Sequence, residues 1–320
     1  MRRIGDDERR ARLGRRQFLA GDATRGVDVV SVAGGLAGLH ATDPATVFLS
    51  ARRRVPGLTV AGREGALYED RTLVRMLAMR RTMFVVPVDL VPVLQAACTD
   101  AVAAQLRKRL VGELATTDLG DGAGRWLDGV LADTLAALEV RGHATGVQLS
   151  TDVPDLRRTF TYAEGKAWGG EVTITSRALN LLSAEGHIVR GRPKGSLISR
   201  QHEWAATDRW LAAVPAPWPA EAARTELVRR WLHAFGPATL DDVQWWTGWN
   251  KGQTRAVVAG LGAEVVDVEL EDGTPAVLLA ADADPVAPPE PWVALLPALD
   301  PTAMGWKGRG FYLGAHRERL

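Results

Sequence analysis

The run Thr175–Trp204, TSRALNLLSAEGHIVRGRPKGSLISRQHEW, decides how this chain is read. Thr175–Glu185 has the pattern of a short helix. His187–Arg192 (HIVRGR) reads as a strand, Pro193-Lys194-Gly195 as a turn, and Ser196–Trp204 as a returning strand. The order helix, strand, turn, strand is a helix carrying a wing.

The same grammar returns downstream. Proline-rich Val214–Pro219 (VPAPWP) reads as a linker. Arg224–Phe235 is a helix closed by Gly236-Pro237-Ala238. Thr239 is placed to cap the next helix, with Asp242 in the position of the reciprocal acid. Gln253–Leu261 makes a third helix. Glu264–Leu270 and Ala276–Leu279 then flank the turn signal Glu271-Asp272-Gly273-Thr274. Three helices and a hairpin is the winged-helix order. A second linker, Ala281–Pro291, leads to Trp292–Leu296 (WVALL), which reads as a strand.

Upstream, Asp6–Leu19 reads as a charged surface helix and Val27–Leu39 as a buried helix loosened by glycines. Asp43 is a favoured N-cap and Pro44 a favoured first helical residue, so a helix is expected over Ala45–Arg54. Asp70–Arg81 (DRTLVRMLAMRR) shows Leu73, Met76 and Leu77 on one helical face, and Thr82–Val88 reads as a strand. Val91–Leu138 is helical in pattern, broken at Gly120-Asp121-Gly122.

Bulk composition narrows the function classes. Of 320 residues, 46% are hydrophobic and 24% charged, and the net charge is +1, so any cationic face must come from local clustering. The single cysteine, Cys98, excludes an internal disulfide and a thiolate metal cluster, and suits a reducing cytoplasm. Arg15-Arg16-Gln17-Phe18-Leu19 resembles the core of a twin-arginine export signal, but Asp22, Arg25 and Asp28 interrupt the apolar stretch that must follow. No stretch approaches a membrane span. There is no nucleophile elbow, phosphate loop, HExxH or paired CxxC, and the glycines at 34, 35 and 38 do not make a dinucleotide fingerprint.

Two constellations remain. The wing carries Arg190, Arg192, Lys194 and Arg200 with no acid between Gly186 and Gln201, a charge pattern suited to nucleic-acid phosphates. Arg80-Arg81 and the run Arg52-Arg53-Arg54 are further basic clusters; each alone is more often a solvated helix face than a binding site. Trp245, Trp246 and Trp249 crowd one helix and read as core. The second constellation is Gly38–Pro44, GLHATDP. Asp43 is explained by its cap. His40 is either a satisfied core imidazole or a general base, and Thr42 can share the capping or hold a water.

Several segments in order resemble one family: GLHATDPATVFLSARRRV, RMLAMRRTMFVVP, LLSAEGHIVRGRPKGS, AFGPATLDDVQWWTGW and LLPALDPTAMGWKGRG. They are similar to the bacterial winged-helix DNA-binding proteins that include the AlkZ and YcaQ DNA glycosylases, from about residue 9 to about residue 310. The resemblance implies an α+β, mainly α chain with tandem winged-helix motifs in a C-shaped body, a basic concave channel and a C-terminal β-barrel. The corresponding segmentation is 1–90, 91–213 and 220–280 for three winged-helix units, with 291–320 as an incomplete start of the barrel.

It implies monofunctional, metal-independent and cofactor-free hydrolysis of the N-glycosidic bond of bulky alkylated purines such as N7-alkylguanine, with crosslinks as further substrates. The partner is double-stranded DNA, gripped by Arg52, Arg80, Arg81, Arg190, Arg192, Lys194, Arg200, Lys307 and Arg309. A monomer acting on nucleoid DNA in the cytoplasm is expected. The family's catalytic motif, Gln-x-Gln or Gln-x-Asp before an acid, falls on His40 and Thr42 followed by Asp43. Both amides are replaced here. A neutral imidazole can orient a water and also accept its proton, and Asp43 can favour positive charge on the sugar. Residues 40 and 42 share a side only on extended backbone. The alternative is a DNA-binding or regulatory protein with a degenerate site.

Overall fold

In the computed structural model the described residues are 1–24, 26–162, 170–195, 199, 201–213, 216–314 and 316. In chain order the elements begin with β1 (Arg2–Ile4), α1 (Asp6–Arg16), α2 (Val29–Gly35), β2 (Leu39–His40), α3 (Pro44–Arg54), α4 (Val60–Glu64), β3 (Leu73–Leu77), β4 (Met83–Pro87) and α5 (Val91–Leu94). Next come α6 (Asp100–Ala115), α7 (Ala123–Arg141), β5 (His143–Thr145), α8 (Gly146–Asp152), β6 (Thr159–Tyr162), β7 (Gly170–Thr173), α9 (Thr175–Ala184), β8 (Ile188–Pro193), β9 (His202–Ala206) and α10 (Thr207–Trp210). The last stretch holds α11 (Ala220–Phe235), α12 (Leu240–Thr247), α13 (Lys251–Gly260), β10 (Val265–Leu270), β11 (Pro275–Leu279) and the single turn α14 (Gly310–Leu313). The chain is mainly helical.

Packing divides it into two units, Met1–Cys98 with Pro215–Leu320, and Thr99–Val214. The second unit is built on the sheet β5–β9–β8 and the hairpin β6–β7. Its core joins Leu127, Leu131 and Leu138 of α7 to Leu179 and Leu182 of α9 and Trp204 of β9. Local chemistry starts α8: Thr145 and Gln148 form a reciprocal capping box.

The first unit is discontinuous. Strand β1 pairs in parallel with β10, aligning Ile4 with Leu270, so the N-terminus closes a sheet made more than 260 residues later. The segments expected as separate units at 1–90 and 220–280 therefore share a core. Met76, Phe84 and Val86 pack in one cluster with Trp231, Phe235, Trp246 and Trp306. Thr239 and Asp242 form the capping box expected for α12. The other oxygen of Asp242 accepts the N–H groups of Lys307 and Gly308, each at 2.9 Å, which docks the C-terminal segment onto that helix start.

Two expected elements differ. Leu73–Leu77, read as helix, is strand β3, because the sheet β2–β4–β3 is covered on both faces. Leu73 enters one core and Met76 the other, so the stretch lacks the alternation of a half-exposed strand. Trp292–Leu296 forms no strand, and no closed barrel is present among the described residues. Pro285, Pro288, Pro289, Pro291 and Pro297 remove ladder donors around it, and the carbonyl of Val293 accepts from the Arg53 side chain at 2.7 Å.

One tertiary ion pair is fully buried. Arg54 and Asp300 both have fully buried side chains. Arg54 donates to both Asp300 oxygens at 2.7 and 2.8 Å, to Thr302 Oγ1 at 2.9 Å, and to the carbonyls of Gln17 and Ser50 at 2.8 and 2.9 Å. All five guanidinium N–H groups are used. Burial works to raise the Asp300 carboxyl, but the charge and hydrogen bonds of Arg54 hold it below the usual carboxylate value. Its folded value being depressed, the pair's stabilisation is present above the unfolded carboxylate pKa and is lost as pH falls through the folded one. Asp300→Ala is expected to cost about 3–5 kcal/mol in denaturant unfolding, since it strands a buried cation. Arg54→Met with Asp300→Leu is expected to recover most of that loss, and a single-variant cost below about 1 kcal/mol would contradict the assignment.

Candidate active site

The Gly38–Pro44 stretch sits at the start of α3, in the first unit. The chain leaves α2 through Ala37 at φ 53° and Gly38 at φ 113°. A Cβ on Gly38 would lie 3.0 Å from Val86 Cγ1 and 3.1 Å from Phe84 Cδ1, so both the turn and the space demand glycine. The backbone then extends as β2, pairing His40 with Phe84. Extension continues one residue further: Ala41 N–H donates to the Met83 carbonyl at 2.7 Å, and Arg75 Nη2 donates to the Ala41 carbonyl at 2.9 Å.

His40 is 5% exposed, its ring edge-on to Phe84 at 5.3 Å. Its Nδ1 is buried without a hydrogen-bond partner among the described residues. That nitrogen lacks the partner that a fully satisfied core histidine would have. Burial first, and the positive charge of Arg80 second, lower its pKa from the ordinary imidazole value, so the neutral form dominates at pH 7. Thr42 and Asp43 are exposed. Asp43 is the N-cap of α3: one oxygen accepts from Ala45 N–H at 3.0 Å and the other from Thr46 Oγ1 at 3.1 Å.

Among the expected DNA contacts, Arg80 and Arg81 form the tip of the β3–β4 hairpin. Both adopt left-handed backbone, at φ 52° and 59°, which is costly for residues bearing a Cβ. Arg81 is exposed; Arg80 lies half-buried with its guanidinium 4.1 Å from the Trp245 ring. No carboxylate pairs with Arg80 among the described residues. Gly248, left-handed at the end of α12, leaves room for its stem: a Cβ there would lie 3.1 Å from Arg80 Cγ.

Several other cations are engaged within the fold. Arg52 donates to the Leu58 carbonyl at 2.6 Å. In the second unit, Arg190 donates to Asn180 at 2.6 Å and lies 5.0 Å from the Trp204 ring, and Lys194 pairs with Glu203 at 2.6 Å. Arg192 is exposed on β8, and Arg200 lies outside the described residues. Lys307 pairs with Asp241 at 2.7 Å, and Arg309 donates to the Ala303 carbonyl at 3.4 Å. Among the described residues no group of three His, Cys, Asp or Glu side chains could hold a metal ion. Burial pushes the Cys98 thiol up to about 12, which makes it a poor nucleophile.

A family model for AlkZ-like DNA glycosylases matches residues 33–320. The chain belongs to the AlkZ-like DNA glycosylase family. The match spans His40, Arg80 and the wing, and it supports DNA glycosylase activity. The solved Streptomyces sahachiroi DNA glycosylase AlkZ has the same fold, with a TM-score of 0.71 at 18% identity, covering 100% of this chain and 82% of that one. No curated protein matches the chain. Arg75 and Trp245 were not assigned to this site from sequence. Arg75 reads as one face of a helix until its segment is known to be a strand, and Trp245 reads as core.

The depressed imidazole pKa makes a signed prediction. Neutral His40 contributes stability that is present above about pH 6.5 and is lost as pH falls through the folded value. Arg80→Ala removes the nearby cation, so histidine NMR should find the His40 midpoint moved upward, with Trp245→Ala moving it the same way as the arginine is released. A midpoint unchanged in both variants would leave burial as the sole cause.

Proposed function

We propose that this protein is a monofunctional DNA glycosylase that hydrolyses the N-glycosidic bond of bulky alkylated purines, N7-alkylguanines first among them, and that His40 is its base. The observation that carries the reading is the neutral imidazole, its Nδ1 unpartnered among the described residues, at the family's motif position, two positions from an exposed hydroxyl. Winged-helix modules over 1–90, 91–213 and 220–280 would present Arg80, Arg81, Arg190, Arg192 and Lys194 to duplex phosphates, with Arg52, Arg200, Lys307 and Arg309 as further contacts. The protein would act as a monomer on nucleoid DNA in the cytoplasm, with no cofactor or metal.

The chemistry balances simply. In N7-alkylguanine the leaving base already carries positive charge, so the electron pair of the breaking C1′–N9 bond neutralises it. Water adds to C1′ and gives its proton to the imidazole. A base weakened by burial suffices, because a good leaving group lets bond cleavage run ahead of water attack. Thr42 would hold the water through its hydroxyl. Asp43, although it caps α3, keeps lone pairs and negative charge beside the developing sugar cation. Bulky adducts resist extrusion into a tight pocket, so an open groove suits them better than deep base flipping. Interstrand crosslinks on N7 fall in the same chemical class.

The test is a duplex carrying N7-alkylguanine, incubated with the protein and then heated in alkali to break abasic sites. Strand breaks at the lesion are expected, with His40→Ala reducing the single-turnover rate about 10²-fold. The rate should be level from pH 8 to about pH 6.5 and fall on the acid side, with its inflection below that of free imidazole. An inflection at or above that value would remove His40 as the base.

A second reading is a DNA-binding protein whose site has lost its chemistry. The 5% exposure of His40 and the engagement of both Asp43 oxygens in a helix cap favour it. Tight binding to several alkylated duplexes with no breaks in any of them would select that reading.

A further inference from the structure

Ala41 lies between the two residues assigned to the water, and both peptide groups that flank it are held. The His40–Ala41 peptide is held through its N–H on Met83, and the Ala41–Thr42 peptide through its carbonyl on Arg75. These two bonds set the directions in which residues 40 and 42 leave the backbone. Met83 supplies an ordinary ladder carbonyl from β4. Arg75 supplies something less ordinary.

Arg75 stands on β3 opposite Val85, which in turn pairs with Leu39. His40 belongs to the neighbouring row, His40–Phe84–Met76, whose side chains leave the other face of the sheet. The guanidinium thus reaches the motif from the face opposite to the imidazole. It is half-buried, its Nε is buried without a partner, and no carboxylate pairs with it among the described residues. Burial works against its charge, with the nearby Tyr68 favouring that charge and Arg63 opposing it. A group held at that cost makes one hydrogen bond among the described residues, and it falls on the Ala41 carbonyl. A cation on a carbonyl makes a stronger and more directional bond than a neutral donor.

We propose that Arg75 is a positioning residue for the hydrolysis at His40 and Thr42, locking the Ala41–Thr42 peptide so that the imidazole and the hydroxyl hold one water between them. This rests on the glycosylase reading. Arg75 touches neither substrate nor water; it acts through the backbone.

The test compares full-length Arg75→Met, Arg75→Lys and the unmodified protein on the N7-alkylguanine duplex. Arg75→Met should lower the single-turnover rate about 10- to 100-fold, as a misplacement near one ångström does, while duplex affinity stays within about twofold. Millimolar guanidinium ion should restore part of the lost rate, and Arg75→Lys should retain more activity than Arg75→Met. Hydrogen exchange should accelerate at residues 40–42 and little elsewhere. A rate within about twofold of the unmodified protein would overturn the inference while leaving the glycosylase reading intact. So would a loss of affinity in proportion to the loss of rate, which would make Arg75 a phosphate contact. Should the unmodified protein make no abasic sites, the glycosylase reading falls, and exchange decides: unaltered exchange at 40–42 in Arg75→Met would overturn the positioning role as well.

Discussion

A buried ion pair without complete hydrogen bonding is a liability, because desolvating two charges costs more than their attraction returns. Arg54 and Asp300 meet that demand. The carboxylate takes a bidentate pair, and the remaining guanidinium N–H groups go to Thr302 and to the carbonyls of Gln17 and Ser50. Gln17, itself fully buried, accepts from Thr302 and donates to the Ala234 carbonyl. One network thus joins the end of α1, the end of α3, the end of α11 and the C-terminal segment. The pairing tolerates little displacement of any of the four, since each shift would leave a charge or a polar group buried alone.

That network bears on the candidate site through α3. The helix is fixed at its C-terminal end by Arg54 and opened at its N-terminal end by Asp43, so the motif hangs from a rod whose far end is locked. On the other side, Gly38 brings the chain against Phe84 and Val86 with no room for a side chain. Between the two, Met83 and Arg75 hold the peptide groups around Ala41. Residues 40–42 are therefore over-determined for so short and irregular a stretch, which is the condition under which an unsatisfied buried imidazole can persist.

The cations differ in how far the fold itself engages them. Arg52, Lys194 and Lys307, all charged positions suited to phosphate on sequence grounds, donate to carbonyl or carboxylate groups of the fold. Among the described residues Arg80 has no such internal partner. It rests on the face of Trp245, where a guanidinium keeps its charge and its in-plane donors for another acceptor.

The sequence alone determined the starts of α3 and α12, because capping is local chemistry: Asp43 and Thr239 each act within a few residues of themselves. It also determined that a helix precedes the strand β8 there and, through five ordered motifs, the family. It led to His40, Thr42 and Asp43 by position. Tertiary structure alone decided that 73–77 is a strand, since a segment buried on both faces loses the periodicity that distinguishes strand from helix. It alone joined residues 2–4 to 268–270 and Arg54 to Asp300, because pairing over such separations depends on how many elements pack at once and leaves no local mark. And it alone brought Arg75 to the motif and Trp245 to Arg80: which cation meets which carbonyl or ring is set by strand register and helix docking, and neither is written in the spacing of the residues themselves.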